Sequence, residues 1–345
     1  MLTPQSQLLL RNIADLSGVV LLVEPMADDL PRELALNNSE LQLSCYTTDK
    51  TVANNWQQQS QAPCYFAAEL DAKHLAAGKK FDTVVLFYPK SKEQLAFSLA
   101  QLNAVIDNNT QVYLVGDNKG GIKSLVAHAE KLGLHAHKLD NAKHCLWFAL
   151  TGLADKPQQA QPMANFSAEV AGKKLQFCSL PGVFNHGKLD VGTAILLEQL
   201  GFIQQGNVLD FACGAGVIGT FLLQQAPGIK LYCSDVSALA VASSKATFAL
   251  NQQQAQVVAA DGMPDGTPLF NHIVTNPPFH TGLKTDYSVA EKFINDSKNK
   301  LSSGGTLTLV ANAHLPYAQW LKEVFGNVKE LARRNGFVVY HSRKS

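Results

Sequence analysis

The four residues Asn276, Pro277, Pro278 and Phe279 form the most chemically specific segment of the sequence. They follow residues 271–275, which predict a buried strand. The Asn276 amide oxygen and the Pro277 carbonyl oxygen can each accept one N–H of a planar amine. The two prolines stiffen the turn, and Phe279 offers a ring on which a base can stack. The segment predicts a site that aligns the amine of a base, although a proline-terminated strand turn gives the same pattern.

A glycine turn lies 62 residues before Asn276. Residues 208–219 read as a buried strand, a turn that contains Gly214 and Gly216, and the start of a helix. Because glycine has no side chain, a ligand can approach this backbone closely, and the amides of the helix start can bind its polar atoms. With Gly219, the turn has the spacing of dinucleotide-binding loops, which a plain tight turn also satisfies.

Three predicted strands carry an acidic residue at or near their ends, namely Asp210, Asp235 and Asp261. Ligands of open α/β sheets bind at the carboxyl edge of the strands, where a carboxylate such as Asp235 can accept from two ribose hydroxyls. Asp210 disfavours a pyrophosphate, which a carboxylate repels, and favours a cationic ligand. The three acids around a glycine turn predict a nucleoside pocket, although helix capping explains any one of them.

Apolar runs alternate with helical patterns along the chain, which predicts an α/β fold with a mostly parallel sheet. The alternation is interrupted at residues 153–165, a polar stretch with two prolines and three glutamines. We predict that this stretch is a linker between a first domain, residues 1–152, and a second domain, residues 166–345.

The two halves match each other at an offset of 189 residues, which aligns 81–89 with 270–278 and 19–22 with 208–211. A shared offset at two strands favours duplication over chance apolar similarity. At this offset Asp210, Gly214, Gly216 and Asn276 correspond to Leu21, Pro25, Ala27 and Phe87. The first half therefore keeps the apolar strands and lacks the residues that could do chemistry.

Composition and charge exclude several classes of protein. The chain has 345 residues, is 46% hydrophobic, and carries 29 basic against 28 acidic residues, for a net charge of +1. These values exclude a largely disordered chain and a strongly basic nucleic-acid binder. The six cysteines stand singly, with no His at metal-ligand spacing, and no apolar stretch is long enough to cross a membrane. We expect a metal-free cytoplasmic protein with free thiols.

The strand, glycine turn and acids together resemble the class I S-adenosylmethionine-dependent methyltransferases. The resemblance covers the chain from about residue 181 to the end. With the match between the two halves, it implies two tandem Rossmann-like domains, each a mostly parallel seven-stranded sheet flanked by helices, of which the N-terminal one is degenerate. It implies catalytic roles for Asn276, Pro277, Pro278 and Phe279. It further implies that S-adenosylmethionine binds with its methionine part on Asp210, Gly214 and Gly216, its ribose on Asp235 and its adenine amine on Asp261.

A narrower resemblance rests on Phe279-His280-Thr281-Gly282 and on the segments PGVF at 181–184 and LDVGT at 189–193. These are similar to the ribosomal RNA small subunit methyltransferase C (RsmC) family, and the resemblance extends over the full chain. It implies methylation of guanine N2 in 16S ribosomal RNA, at guanine 1207 in that family, by a monomer acting on the assembled small subunit. The related large-subunit 23S ribosomal RNA guanine-N2 methyltransferases, which also have two halves, are the alternative.

Two readings from other classes fit less well. A NAD-dependent enzyme is disfavoured by Asp210 and has no use for the segment that begins at Asn276. A non-catalytic RNA-binding scaffold suits the first half and leaves the intact second half unexplained.

Two groups of basic residues are candidate RNA contacts, although a solvated surface is an equally simple explanation of each. We expect the first half to brace the catalytic domain and to dock RNA through lysines near predicted strand ends, namely Lys79, Lys80, Lys90, Lys92, Lys119 and Lys123. A basic patch near the C-terminus comprises Lys329, Arg333, Arg334, Arg343 and Lys344.

Overall fold

The computed structural model describes residues 1–71, 80–89, 91–277 and 287–345. It divides into two compact units, Met1–Pro162 and Met163–Ser345. The division falls inside the stretch predicted as a linker, whose two ends nevertheless belong to folded structure. Leu153 is buried in the core of the first unit, and residues 164–165 begin a strand.

The first unit contains seven strands and five α-helices among its described residues. The strands are β1 (Val19–Val23), β2 (Gln42–Thr47), β3 (Cys64–Phe66), β4 (Thr83–Phe87), β5 (Gln111–Asp117), β6 (His135–Ala142) and β7 (Cys145–Thr151). The helices are α1 (Pro4–Arg11), α2 (Leu30–Asn37), α3 (Lys50–Gln59), α4 (Lys92–Leu102) and α5 (Leu125–Lys131).

The second unit contains nine strands and five α-helices among its described residues. The strands are β8 (Ala164–Val170), β9 (Lys173–Ser179), β10 (Asn207–Phe211), β11 (Lys230–Asp235), β12 (Gln256–Ala259), β13 (Phe270–Thr275), β14 (Leu301–Asn312), β15 (Lys329–Arg334) and β16 (Phe337–Arg343). The helices are α6 (Val191–Leu197), α7 (Val217–Gln225), α8 (Ala238–Leu250), α9 (Tyr287–Lys300) and α10 (Tyr317–Phe325).

Each unit has a seven-stranded sheet, and the strand order is the same in both. The first sheet runs β3-β2-β1-β4-β5-β7-β6 and the second runs β12-β11-β10-β13-β14-β16-β15, with β8 and β9 forming a separate antiparallel pair. The first five strands of each order are parallel, and the last two are antiparallel to their neighbours. The predicted fold class, two tandem methyltransferase-like α/β domains, is confirmed.

Each sheet is buried on both faces, which explains why its central strands are continuous apolar runs. In β1, Leu21 and Val23 pack with α4 and α5 on one face, whereas Val20 and Leu22 pack with α1 and Trp56 on the other. In β10, Leu209 packs with α9 and α10, and Val208 with α7 on the opposite face.

The structure corrects the alignment of the two halves at their first strands. The left-handed residues Glu24 (φ 52°) and Ala212 (φ 56°) follow β1 and β10 at an offset of 188, not 189. The offset of 189 holds at the fourth strand, because Val20 pairs with Thr83 and Val208 pairs with His272. Asp210 therefore corresponds to Leu22 rather than Leu21, since a shift of one residue moves a strand side chain to the other face.

No helix in the described ranges is both long enough and apolar enough to span a membrane.

Candidate active site

The glycines that follow β10 have two different structural roles. Gly214 (φ 54°) and Gly216 (φ 76°) both have left-handed backbones. A Cβ at Gly214 would meet no atom within 4 Å, so this part of the turn faces open space. A Cβ at Gly219 would lie 2.8 Å from Leu231 Cδ2 and 2.9 Å from Phe248 Cζ. Gly214 thus leaves room for a ligand, and Gly219 lets α7 pack closely on the sheet.

Asp210 lies beneath this turn and has no exposed surface. Its Oδ2 accepts a hydrogen bond from the Gly219 amide at 2.9 Å, which ties β10 to α7. Burial raises the pKa of the Asp210 carboxyl to about 8, and the nearby Asp235 adds to the effect. The carboxyl therefore supports the turn from below. A direct contact with the methionine part of a cofactor stays a prediction.

Asp235 connects the glycine turn to the next helix. Its Oδ2 accepts from the Gly214 amide and its Oδ1 from the Ser237 amide, both at 2.9 Å. Ser237 in turn caps α8. Each carboxylate oxygen can accept more than one hydrogen bond, so Asp235 keeps the capacity to bind ribose hydroxyls.

Asp261 lies at the same edge of the sheet, two residues beyond β12. Ala259 pairs with Asp235, and the Ala260 amide donates to the Asp235 carbonyl oxygen at 2.9 Å. The Asp261 side chain is exposed. The structure thus brings Asp235, Asp261 and the glycine turn together at the carboxyl edge of three neighbouring strands.

Asn276 follows β13 at this edge, and its amide is held in one orientation. Its Nδ2 donates to Asp190 Oδ2 and to Thr193 Oγ1, both at 2.9 Å. Because both N–H groups are used, the side-chain oxygen Oδ1 is the group left to accept. Pro277 is buried beside it, whereas Pro278 and Phe279 lie outside the described residues.

Asp190 is fixed by its place at the start of α6. It caps this helix by accepting from the Thr193 amide at 2.8 Å, and its Oδ1 accepts from Asn185 Nδ2 at 3.0 Å. The sequence pattern at residues 189–193 supports the family resemblance but does not predict a role for Asp190. An Asp directly before a helical run is a capping pattern, but the contact of Asp190 with a residue 86 positions away is visible only in the fold.

The described residues contain no group of three or more His, Cys, Asp or Glu side chains that could hold a metal ion. The described part of the candidate site comprises backbone amides, one oriented amide and four carboxyl groups, those of Asp190, Asp210, Asp235 and Asp261.

Comparison with known proteins identifies the class. Residues 174–341 match the family described as Methyltransferase small domain, and residues 6–168 match Methyltransferase small domain N-terminal. The chain is a two-domain methyltransferase.

The particular family follows from full-length relatives. The chain is 38% identical to the ribosomal RNA small subunit methyltransferase C of Pseudoalteromonas translucida, over 99% of both chains. It is 36% identical to the protein of the same name from Shewanella amazonensis, over 100% of both. The chain belongs to the ribosomal RNA small subunit methyltransferase C family, as the sequence resemblance predicts.

A solved structure shares the two-unit fold. The T. thermophilus 16S rRNA N2 G1207 methyltransferase (RsmC), in complex with AdoMet and guanosine, aligns with a TM-score of 0.83 and 24% identity. The alignment covers 99% of this chain and 92% of that one.

Proposed function

We propose that the protein transfers a methyl group from S-adenosylmethionine to the exocyclic N2 of a guanine in 16S ribosomal RNA. The observation that carries this proposal is the Asn276 amide, whose two N–H groups are occupied by Asp190 and Thr193 so that its oxygen can accept. We infer ribosomal RNA as the substrate from the names of the full-length relatives. We infer guanine N2 as the methylated atom from the T. thermophilus protein, a 16S rRNA N2 G1207 methyltransferase.

The chemistry requires acceptors rather than a strong base. The lone pair of an exocyclic amine is delocalised into the ring, and an enzyme must hold both N–H bonds so that the lone pair faces the electrophile. Asn276 Oδ1 and the Pro277 carbonyl oxygen are two acceptors that can do this. Their dipoles also stabilise the positive charge that develops on nitrogen, and the alkylated amine then loses its proton readily.

S-adenosylmethionine supplies the electrophilic methyl group when it is bound. Gly214 and Asp235 fit two parts of S-adenosylmethionine. The open space beside Gly214 leaves room for the methionine part, and the carboxylate of Asp235 can accept from the ribose hydroxyls. Asp261 is assigned to the adenine amine. Asp210 is assigned to the methionine side, where it acts through the turn that it supports.

We assign the first domain, residues 1–152, no cofactor and a role in bracing and RNA docking. Its counterparts of Asp210, Gly214 and Gly216 at the corrected offset are Leu22, Met26 and Asp28. Glu24, the counterpart of Ala212, occupies the turn after β1, where Thr47 Oγ1 donates to it at 3.0 Å and Thr48 Oγ1 at 2.7 Å. These hydrogen bonds join the turn after β1 to the end of β2.

We further assign the substrate to the assembled small subunit and the active form to a cytoplasmic monomer. The described residues that this site uses all lie in the second unit, between Asn185 and Pro277. Residues 153–165 are assigned as the connection between the two domains.

The test uses tritiated S-adenosylmethionine with small and large ribosomal subunits that lack their methyl groups. We expect label on N2 of one guanine of 16S ribosomal RNA and none on the large subunit. Asn276→Ala should lower the rate on the order of 10²-fold, because one oriented group that stabilises the transition state is removed. Label on the large subunit alone, or equal rates for the variant and the wild type, would contradict the proposal.

A further inference from the structure

A pocket of about 410 Å³ opens within the first unit, at the carboxyl edge of its sheet. It lies beside the end of β5 and the turn that joins β6 to β7, since Cys145 at the start of β7 pairs with Asp117 at the end of β5. In the second unit the corresponding edge holds Asn276, which follows β13, the strand next to the counterpart of β5. The first unit thus keeps a cleft on the side of the sheet that the second unit uses for its substrate.

The lining of this pocket is basic and polar. Its polar residues are Asn118, Lys123, Lys138, Asn141, Lys143 and His144, and no acidic residue is among the described residues that line it. All three lysine side chains are exposed. The first half as a whole, residues 1–165, has 14 basic and 16 acidic residues and is therefore net negative. Three lysines with no acidic residue in the same lining are therefore a local concentration of positive charge in a half that is net negative.

Two acidic residues adjoin the lining in sequence, Asp117 and Asp140, and both are already engaged. Hydrogen bonds from Asn12 and Asn141, and the charges of Arg11 and Lys138, lower the pKa of the Asp140 carboxyl. Asp140 accepts from Asn12 and forms an ion pair with Arg11, 3.1 Å from the Arg11 Nε. Asp117 accepts from the Lys119 amide at 2.6 Å and so caps a short 3₁₀ helix. Lys143 contacts the Gln7 side-chain oxygen, which is neutral and leaves its charge uncompensated.

The backbone of the turn that carries Lys143 and His144 is a second, independent observation. Both residues have left-handed backbones, with φ 48° and φ 63°. Two-residue hairpin turns of this kind favour Asn-Gly, because other residues adopt positive φ at a cost. The corresponding turn of the second unit, between β15 and β16, is indeed Asn335-Gly336. The first unit thus has Lys and His at two positions where the second unit has the less strained pair Asn-Gly.

We propose that this pocket binds phosphate groups of the RNA backbone and so docks the substrate on the first unit. The inference rests on the proposed function for the identity of the RNA. Lysines neutralise phosphates, and the exposed side-chain amide of Asn141 and the His144 ring add hydrogen bonds. Such contacts position an RNA without reading its bases, which suits a unit that has no catalytic residues.

The test compares two pocket variants with a matched control. The first variant, Lys143→Asn/His144→Gly, installs the turn of the second unit, and the second is Lys123→Gln/Lys138→Gln. The control, Lys131→Gln/Lys156→Gln, removes two exposed lysines near the opposite edge of the same sheet, where Lys156 lies beside Gly133. Binding of small ribosomal subunits that lack their methyl groups is measured at several salt concentrations, together with thermal unfolding and calorimetric binding of S-adenosylmethionine.

We expect both pocket variants to bind RNA more weakly. Their salt dependence should be reduced by roughly 0.7 to 0.9 in slope for each phosphate that the variant no longer neutralises. The turn variant should unfold at the same or a higher temperature than the wild type, so weaker RNA binding cannot be attributed to misfolding. The control should match the wild type, and S-adenosylmethionine affinity should be unchanged in all three variants.

Equal RNA affinity in pocket variants and wild type would overturn the inference, and so would an equal loss of affinity in the control, which would indicate a general charge effect. Failure of the proposed function gives a different result. The wild type would then transfer no methyl group to 16S ribosomal RNA, whatever the pocket variants do to RNA binding.

Discussion

The orientation of one amide decides whether this site can accept an amine. A side-chain amide has a donor end and an acceptor end of nearly equal shape, so rotating Asn276 by half a turn would present N–H groups to the N–H groups of a base. Asp190 and Thr193 prevent this rotation because they are acceptors on the side of the Asn276 nitrogen. Asp190 is therefore a positioning residue that acts through Asn276.

Asp190→Ala should lower kcat by about 10²-fold, because a misplaced amide no longer aligns the amine. Loss of the α6 cap should also cost ~1 kcal/mol of stability. Asp49→Ala is the matched control, since Asp49 caps α3 of the first unit by accepting from the Thr51 amide. It should cost similar stability and leave kcat unchanged. Steady-state kinetics and urea unfolding measure both effects, and equal kcat values for the two variants would remove the positioning role.

The buried Asp210 carboxyl should make the stability of the protein depend on pH. Its pKa is raised to about 8 by burial, while an Asp in the unfolded chain titrates near 3.8. Between these values the folded state holds a proton that the unfolded state has lost. Stability therefore falls as pH rises through this range, by at most about 1.4 kcal/mol per pH unit, and levels off above the folded pKa.

Asp210→Asn imitates the protonated form and should lack this contribution. Relative to the wild type, the variant should gain stability as the pH increases from 5 to 8. Urea unfolding of both proteins across this range gives the difference directly. Parallel stability curves would show that Asp210 is ionised in the folded protein.

At the scale of elements, the sequence predicts the strands β1, β4 and β10–β13, because buried parallel strands are mainly apolar runs. The same property hides their register. Residues 208–211 match 19–22 at an offset of 189 almost as well as they match 20–23 at an offset of 188. Only the strand pairing and the aligned turns at Glu24 and Ala212 decide between the two offsets.

The site shows a similar division. Asn276, Asp235, Asp261 and the glycine turn could be placed at one edge from their positions at strand ends. The complete burial of Asp210 and the contact of Asn276 with α6 depend on how helices pack on the sheet, which short-range patterns do not contain.

Gly214, in the turn after β10, and Gly219, in the first turn of α7, should respond differently to substitution. Gly214→Ala places a Cβ in open space at the cost of a left-handed backbone, about 1 kcal/mol, and should chiefly weaken S-adenosylmethionine binding. Gly219→Ala forces a Cβ against Leu231 and Phe248 and should cost about 1–3 kcal/mol of stability. Calorimetry and thermal unfolding separate the two effects, and similar losses of affinity in both variants would contradict this division.

At the scale of the whole molecule, net charge does not indicate which basic groups are available to RNA. The C-terminal basic patch belongs to the more positive half, yet Arg333 is paired with Glu330 and Arg334 with Glu198. Of the lysines expected to dock RNA in the first half, Lys79 and Lys90 lie outside the described residues, and Lys123 lines the proposed phosphate pocket. Local pairing, rather than the sum of charges, determines which basic groups are available.

Duplication of the fold without duplication of the site predicts one S-adenosylmethionine per chain. The two sheets have the same strand order, but burial raises the pKa of Glu24 in the first turn, and Thr47 and Thr48 take up its oxygens. Calorimetry of the full chain should give a stoichiometry of one. Asp235→Ala should abolish binding, because it removes the carboxylate that we assign to the ribose in the second unit. Two molecules bound per chain, or binding that persists in this variant with the affinity of the wild type, would place a cofactor in the first unit and contradict its assignment as a degenerate copy.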